Sequence, residues 1–133
     1  MKLLLEAVPA GQTNVVNTLC EAVNIVKQIG SPAVETMFDT HNAADEKEAH
    51  PELVRKYFPH IEHVHVNELD GREPGTGHYP FGALLATLAE LDYSNWVSVE
   101  VFDFSRGRLE IAKRAIEHLK AALRTTAPSV QTI

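Results

Sequence analysis

The sequence predicts an α/β fold: four βα units whose strands run parallel. Three observations carry this reading. Four short apolar runs, 2–8, 33–38, 61–67 and 96–102, are each followed by a stretch with apolar residues at helical spacing. The alternation is unbroken, with no long linker and no low-complexity segment, and repeated βα units imply a parallel sheet with right-handed crossovers. Each strand also runs into polar residues at its C-terminal end, where α/β sheets place their sites.

The elements follow in order. Residues 2–8 (KLLLEAV) form an apolar run bounded by Pro9 and Gly11, as for a strand buried on both faces. Thr13 offers an N-cap for a helix carrying Val15, Val16, Leu19, Val23, Val26 and Ile29, which Gly30 and Pro32 stop. The second strand, AVETMF, leads into Asp39-Thr40-His41-Asn42 and a polar stretch through His50. Pro51 suits the first turn of a helix with Leu53, Val54, Tyr57 and Phe58 on one face, and Pro59 ends it. The third strand covers 61–67. Pro80 opens a helix with Leu84, Leu85, Leu88 and Leu91 in register, and Trp96 begins the fourth strand and is expected to pack against a helix. The last helix covers 108–124, with Leu109, Ala112, Ile116, Leu119 and Leu123 in register. Residues 1–124 read as one domain and 125–133 as a frayed C-terminal tail.

Composition narrows the function classes. With 133 residues, 44% hydrophobic and 23% charged, the chain reads as a single globular domain. Twelve Lys and Arg against eighteen Asp and Glu leave a net charge of −6, which supplies no basic stripe for nucleic acid. Cys20 is alone, so no internal disulfide forms, and its place on an apolar helical face reads as a small buried hydrophobe. The apolar run Leu3-Leu4-Leu5 stops at Glu6, which is neither a signal peptide nor a membrane span. The default location is the cytoplasm, with no membrane partner.

The richest stretch is 63–79, HVHVNELDGREPGTGHY. Val64 and Val66 alternate against His63 and His65, so the two imidazoles share a face. The strand then opens into a loop of turn formers, Asp70-Gly71, Pro74-Gly75 and Gly77. Parity places Glu6 with Leu4, Asp39 with Met37, His65 with His63 and Glu100 with Ser98. One layer at one height on four strands thus reads Glu6, Asp39, His65, Glu100. Oxygen-rich ligation with one imidazole suits Mn²⁺, Mg²⁺ or Co²⁺, and Zn²⁺ remains open. Each residue alone is as well explained as a solvated charge at a loop edge; four in register favour a metal. His63 reads as a hydrogen-bonded core histidine one layer below. Glu68 reads as a solvated loop carboxylate, and His50 and His78 as surface residues.

The segments LEAVPAGQTNVVNT, MFDTHN, HVHVNELDGREPGTGHYPF and VSVEVF resemble the C-terminal half of the xylose-isomerase-like TIM barrels, in the sugar isomerase/epimerase branch that includes the ketose 3-epimerases. The resemblance implies half of a (β/α)8 barrel, with Glu6, Asp39, His65 and Glu100 as ligands of a divalent metal. It implies that the two glutamates also move the proton on opposite faces of a substrate carbon, and that Arg72 contacts substrate oxygens. It implies a small sugar or sugar phosphate as substrate. Departures from the family pattern are also visible. Gln12 stands where the epimerases carry a second glutamate, and a glutamine can hydrogen-bond a hydroxyl but cannot take a proton. The substrate-contacting histidine normally lies three residues after the aspartate; His41 is one place early. The segments that would match the first four strands are not in this sequence.

Two classes of function follow. One is a metal-dependent sugar isomerase/epimerase, or a fragment of one, that transfers a proton alpha to a ketose carbonyl. The other is a non-catalytic metal-binding or assembly module from a truncated or split barrel. A phosphodiester-cleaving relative would need more ligands and a basic surface. Four strands leave two open edges and an uncovered face lined by Leu4, Val8, Met37 and Phe102, so a homo-oligomer is expected, most simply a dimer.

Overall fold

A computed structural model describes residues 1–126. Strands β1 (Leu3–Leu5), β2 (Val34–Asp39), β3 (Ile61–Val66) and β4 (Val97–Val99) alternate with helices α1 (Leu19–Ile29), α2 (His50–Tyr57), α3 (Phe81–Glu90) and α4 (Arg108–Thr126). The strands form one parallel sheet in the order β1-β2-β3-β4. The predicted α/β class is therefore the observed one. A 3₁₀ turn over Phe58–His60, built around Pro59, joins α2 to β3.

The core lies between the sheet and the helices. Phe38, Val64 and Val66 project from the strands onto Leu19 and Val23 of α1, Leu53 and Val54 of α2, Phe81, Leu84 and Leu88 of α3, and Leu119 of α4. Each such side chain contributes roughly 1.5–3 kcal/mol by leaving water. Alternation then turns Met37, Asp39, His63 and His65 to the opposite face, away from the helices.

Several boundaries differ from expectation. Helix α1 starts at Thr18, not Thr13. Thr18 Oγ1 accepts from the Glu21 N–H at 3.2 Å, and the Glu21 carboxylate accepts from the N–H of Thr18 at 3.1 Å and of Asn17 at 2.7 Å. This reciprocal capping box outcompetes Thr13, whose hydroxyl accepts from Val15 N–H in a tight local turn. Val15 is exposed and Val16 adopts a positive φ of 60°, so neither belongs to the helix. Gly30, at φ 64°, ends α1 by donating to Val26 O at 3.0 Å.

Strands β1 and β4 pair over three residues each, shorter than their apolar runs, because each has a neighbour on one side only among the described residues. Trp96 does not pack against a helix: it is 81% exposed, immediately before β4. Cys20 is exposed, not buried, because α1 turns the flanking Leu19, Ala22 and Val23 inward. Met37 is buried, since the chain after β1 folds over it and encloses a small cavity lined by Ala7, Asn17, Leu19 and Met37. Helix α4 continues two residues past Arg124, and the remainder of the tail lies outside the described residues.

The C-terminal ends of β2 and β3 are locked by buried polar groups. Thr40 Oγ1 lies 2.6 Å from Asn67 O and 2.7 Å from Asn67 Oδ1, and accepts from Asn67 N–H at 2.9 Å. Asn67 Oδ1 also accepts from His41 N–H at 2.8 Å. Buried polar atoms persist only when paired in this way, so the two strand ends have one relative position.

Candidate metal centre

The register sets the site. Asp39 lies level with His65, and His65 with Ser98, while Leu5 lies level with Thr36. Glu6, next after Leu5, is thus set back from Asp39, and Glu100 lies two residues beyond Ser98. The expected single height is replaced by a diagonal, and side-chain length brings the ends together. The four ligating atoms all lie within 4.8 Å of one another.

His65 Nδ1 is the centre of the cluster. It faces Glu100 Oε2 at 3.3 Å, Asp39 Oδ2 at 3.5 Å and Glu6 Oε1 at 3.7 Å. The atom is buried and has no hydrogen-bond partner. An orphaned ring nitrogen encircled by three carboxylate oxygens is the donor set of a divalent cation, hard to borderline in character. The residues present therefore fit a metal. Without one, the Asp39 carboxylate, then that of Glu6, holds a proton on His65 and pushes its pKa up to about 10 against the opposing effect of burial. Burial pushes the Glu100 carboxyl up, with the charge on His65 pulling the other way. His63 packs edge-on to His65, ring centres 5.0 Å apart, and its pKa is lowered by burial and then by His65.

Asp39 and Glu6 are held from behind. Asp39 Oδ1 accepts from Asn42 N–H at 2.8 Å and Oδ2 from Asn67 Nδ2 at 3.3 Å. Asn42 Nδ2 donates to Glu6 Oε1 at 2.9 Å. The sequence reading missed Asn42.

The other expected site residues lie apart from this cluster. His41 Nδ1 bonds Leu69 O at 2.7 Å, and its ring leans on Phe102. Arg72 donates from Nε to Asp70 Oδ2 at 2.8 Å, which lowers the Asp70 pKa. Gln12 is exposed in the loop after β1.

The loop after β3 is more tightly built than its composition suggests. Glu68 is buried, not solvated: it accepts from Gly75 N–H at 2.9 Å and Tyr79 N–H at 3.0 Å, bracing the loop from within. Glu73 is also buried, with Arg106 and Arg114 at 3.7 and 3.8 Å. His50 is not a surface residue either. Its ring bridges Tyr79 Oη at 2.7 Å and Ala43 O at 2.8 Å, and burial lowers its pKa. His78 is exposed, as expected.

The model of the family described as "Xylose isomerase-like TIM barrel" matches residues 1–122. The chain belongs to this family. Among curated relatives, D-psicose 3-epimerase of Agrobacterium fabrum is 29% identical over 102 residues, covering 77% of this chain and 35% of the relative. A probable ketose 3-epimerase of Synechocystis is 24% identical, covering 100% of this chain and 44% of the relative. Among solved structures, a D-psicose 3-epimerase determined in the presence of D-fructose superimposes with a TM-score of 0.76 at 28% identity, over 95% of this chain and 48% of that one. A 3-keto-D-glucoside 4-epimerase from E. coli, at 24% identity and a TM-score of 0.78, shares the fold. The chain thus spans between a third and a half of the length of the relatives it matches. No helix among the described residues is long and apolar enough to cross a membrane.

Proposed function

We propose that this chain carries the metal site of a sugar isomerase/epimerase, with Glu6, Asp39, His65 and Glu100 as ligands of Mn²⁺, Mg²⁺ or Co²⁺, Zn²⁺ being the further alternative. The observation that carries the reading is the buried His65 Nδ1, without a hydrogen bond and facing three carboxylate oxygens. The named relatives, several of them ketose 3-epimerases, support a ketose or its phosphate as substrate.

When bound, the metal supplies Lewis-acid stabilisation of the negative charge that develops on the carbonyl and neighbouring hydroxyl oxygens of the sugar. Glu100 removes the proton alpha to the carbonyl, and Glu6 delivers one to the opposite face. A carboxylate that ligates a cation is a weak base, so the acidity of the substrate C–H would have to come from the metal. Asp39, fixed on both oxygens, moves no proton. Arg72, His41 and Gln12 orient hydroxyls: Arg72 by leaving Asp70, Gln12 by hydrogen bonding alone. The protein acts in the cytoplasm on a small molecule, with no nucleic-acid or membrane partner.

The exposed apolar groups flanking the sheet support a homo-oligomer, most simply a dimer. Leu3 lies at the β1 edge, and Trp96, Val99 and Phe102 at the β4 edge, all exposed. Closing two copies into a single barrel would crowd six carboxylates around one mouth, so face-to-face or offset sheets fit better. Light scattering at micromolar protein decides this, and a stable monomer refutes it.

The same exposed edges favour a second reading, a metal-binding assembly module without turnover. Incubation with a panel of ketoses and Mn²⁺, followed by NMR of the sugars, separates the two. Interconversion of any ketose supports the isomerase/epimerase. Mn²⁺ binding without conversion supports the module, and no binding refutes both.

A further inference from the structure

The four ligands do not position themselves. Asp39 has both carboxylate oxygens engaged, by the Asn42 N–H and Asn67 Nδ2, and Asn67 is itself fixed by Thr40 and the His41 N–H. Glu6 has no such strand-based frame. It follows the last residue of a three-residue edge strand, and its Oε1 accepts a hydrogen bond from one group, Asn42 Nδ2 at 2.9 Å. Asn42 is buried, and its backbone N–H is anchored on Asp39. One residue therefore ties the carboxylate of the first strand to that of the second, across a distance the β1–β2 ladder does not reach.

We infer that Asn42 is a positioning residue that sets the Glu6 carboxylate for metal. This rests on the metal reading above. The chemistry is that of the outer partners of metal ligands. A neutral amide donates to one lone pair of the carboxylate and leaves the remaining oxygen electrons for the cation, and loss of such a partner typically weakens binding about 10–100-fold. An amide suits this place better than a carboxylate, which would repel Glu6, or an apolar group, which would leave Glu6 free to rotate into solvent. Because the Asp39 contact runs through the backbone of residue 42, substitution of the side chain removes the Glu6 bond and spares the Asp39 one.

The test is the affinity for Mn²⁺ alone, measured on the purified chain by electron paramagnetic resonance of free Mn²⁺. Asn42→Ala should weaken binding about 10–100-fold, while its circular dichroism matches that of the parent. A Glu6→Ala chain should also bind weakly, and adding Asn42→Ala to it should cost no more than about twofold further, because the residue acts through Glu6. A similar large loss in both backgrounds would overturn the inference, as would unaltered affinity in Asn42→Ala alone. If Asn42→Ala misfolds, Asn42→Asp keeps the shape and replaces the donor by a second negative charge. It should make the Mn²⁺ dependence on Glu6 disappear, and retained dependence refutes the role. A parent chain that binds no Mn²⁺ at millimolar concentration overturns the metal reading itself, a different result from any of these.

Discussion

Raising the pH should strengthen metal binding steeply and over an unusually wide range. In the metal-free cluster His65 keeps its proton up to about pH 10, because Asp39, Glu6 and Glu100 surround it. A cation must expel that proton to reach Nδ1. Below the raised pKa each bound ion therefore releases about one proton, and the apparent affinity rises about tenfold per pH unit. Between about pH 6.5 and about pH 8.5 the gain is about a hundredfold, where an ordinary histidine, already half neutral at about pH 6.5, would give about twofold. The sign for stability is opposite in the metal-free chain. A pKa raised in the folded state stabilises fully below the unfolded value of 6.5 and is lost as pH climbs through about 10. The rise in melting temperature on adding Mn²⁺ should accordingly grow with pH. Mn²⁺ titrations at half-unit steps read the slope directly, and His65→Gln should abolish it while weakening binding. An affinity that is flat from about pH 6.5 to about pH 8.5 refutes the raised pKa of His65, and an unchanged affinity in His65→Gln refutes its place as a ligand.

Three further outcomes concern the frame around the site. Gly75 sits at φ +93°, and a Cβ there would lie 2.8 Å from the His118 ring, so Gly75→Ala should cost about 1–3 kcal/mol in urea unfolding. Thr18→Ala removes one half of the α1 capping box and should cost about 1 kcal/mol by the same measurement; an unchanged midpoint would move the helix start elsewhere. Phe81 is 1% exposed at the centre of the core, and Phe81→Ala should cost about 3–5 kcal/mol, so a loss below about 1 kcal/mol would contradict the packing described.

Much of the site was legible because side-chain alternation is rigid. Once Val64 and Val66 are assigned inward, His65 has only one face to occupy, and the same logic placed Asp39 and Glu100. What alternation cannot supply is stagger between strands, which depends on the ladder register and the irregularity between Thr36 and Met37. Asn42 escaped because asparagine in a loop suggests a turn, and nothing local reveals a partner 36 residues away. The Thr18 cap was readable, since Thr18 and Glu21 stand three apart, the spacing of a capping box. Glu68 misled for a general reason: a carboxylate in a polar loop is solvated unless its own loop folds over it, and here the backbone N–H groups of Gly75 and Tyr79 do so. Cys20 went wrong because amphipathic spacing ranks positions without saying which neighbours exist to cover them, and Trp96 because no helix covers the start of the edge strand β4 among the described residues.

The braced loop after β3 bears on how fast the site can respond. Glu68 fixes the backbone of Gly75 and Tyr79, Gly71 lies under the Phe102 ring, and Gly75 lies against His118. A segment keyed at so many points does not swing as a body. The Arg72 side chain, by contrast, is half-exposed and pairs with the exposed carboxylate of Asp70. Exposed side chains change rotamer in picoseconds to nanoseconds, whereas loop and lid motions take nanoseconds to milliseconds. In the proposed function, engagement of a sugar oxygen by Arg72 is then a local exchange of one oxygen partner for another, a side-chain motion and not a loop closure.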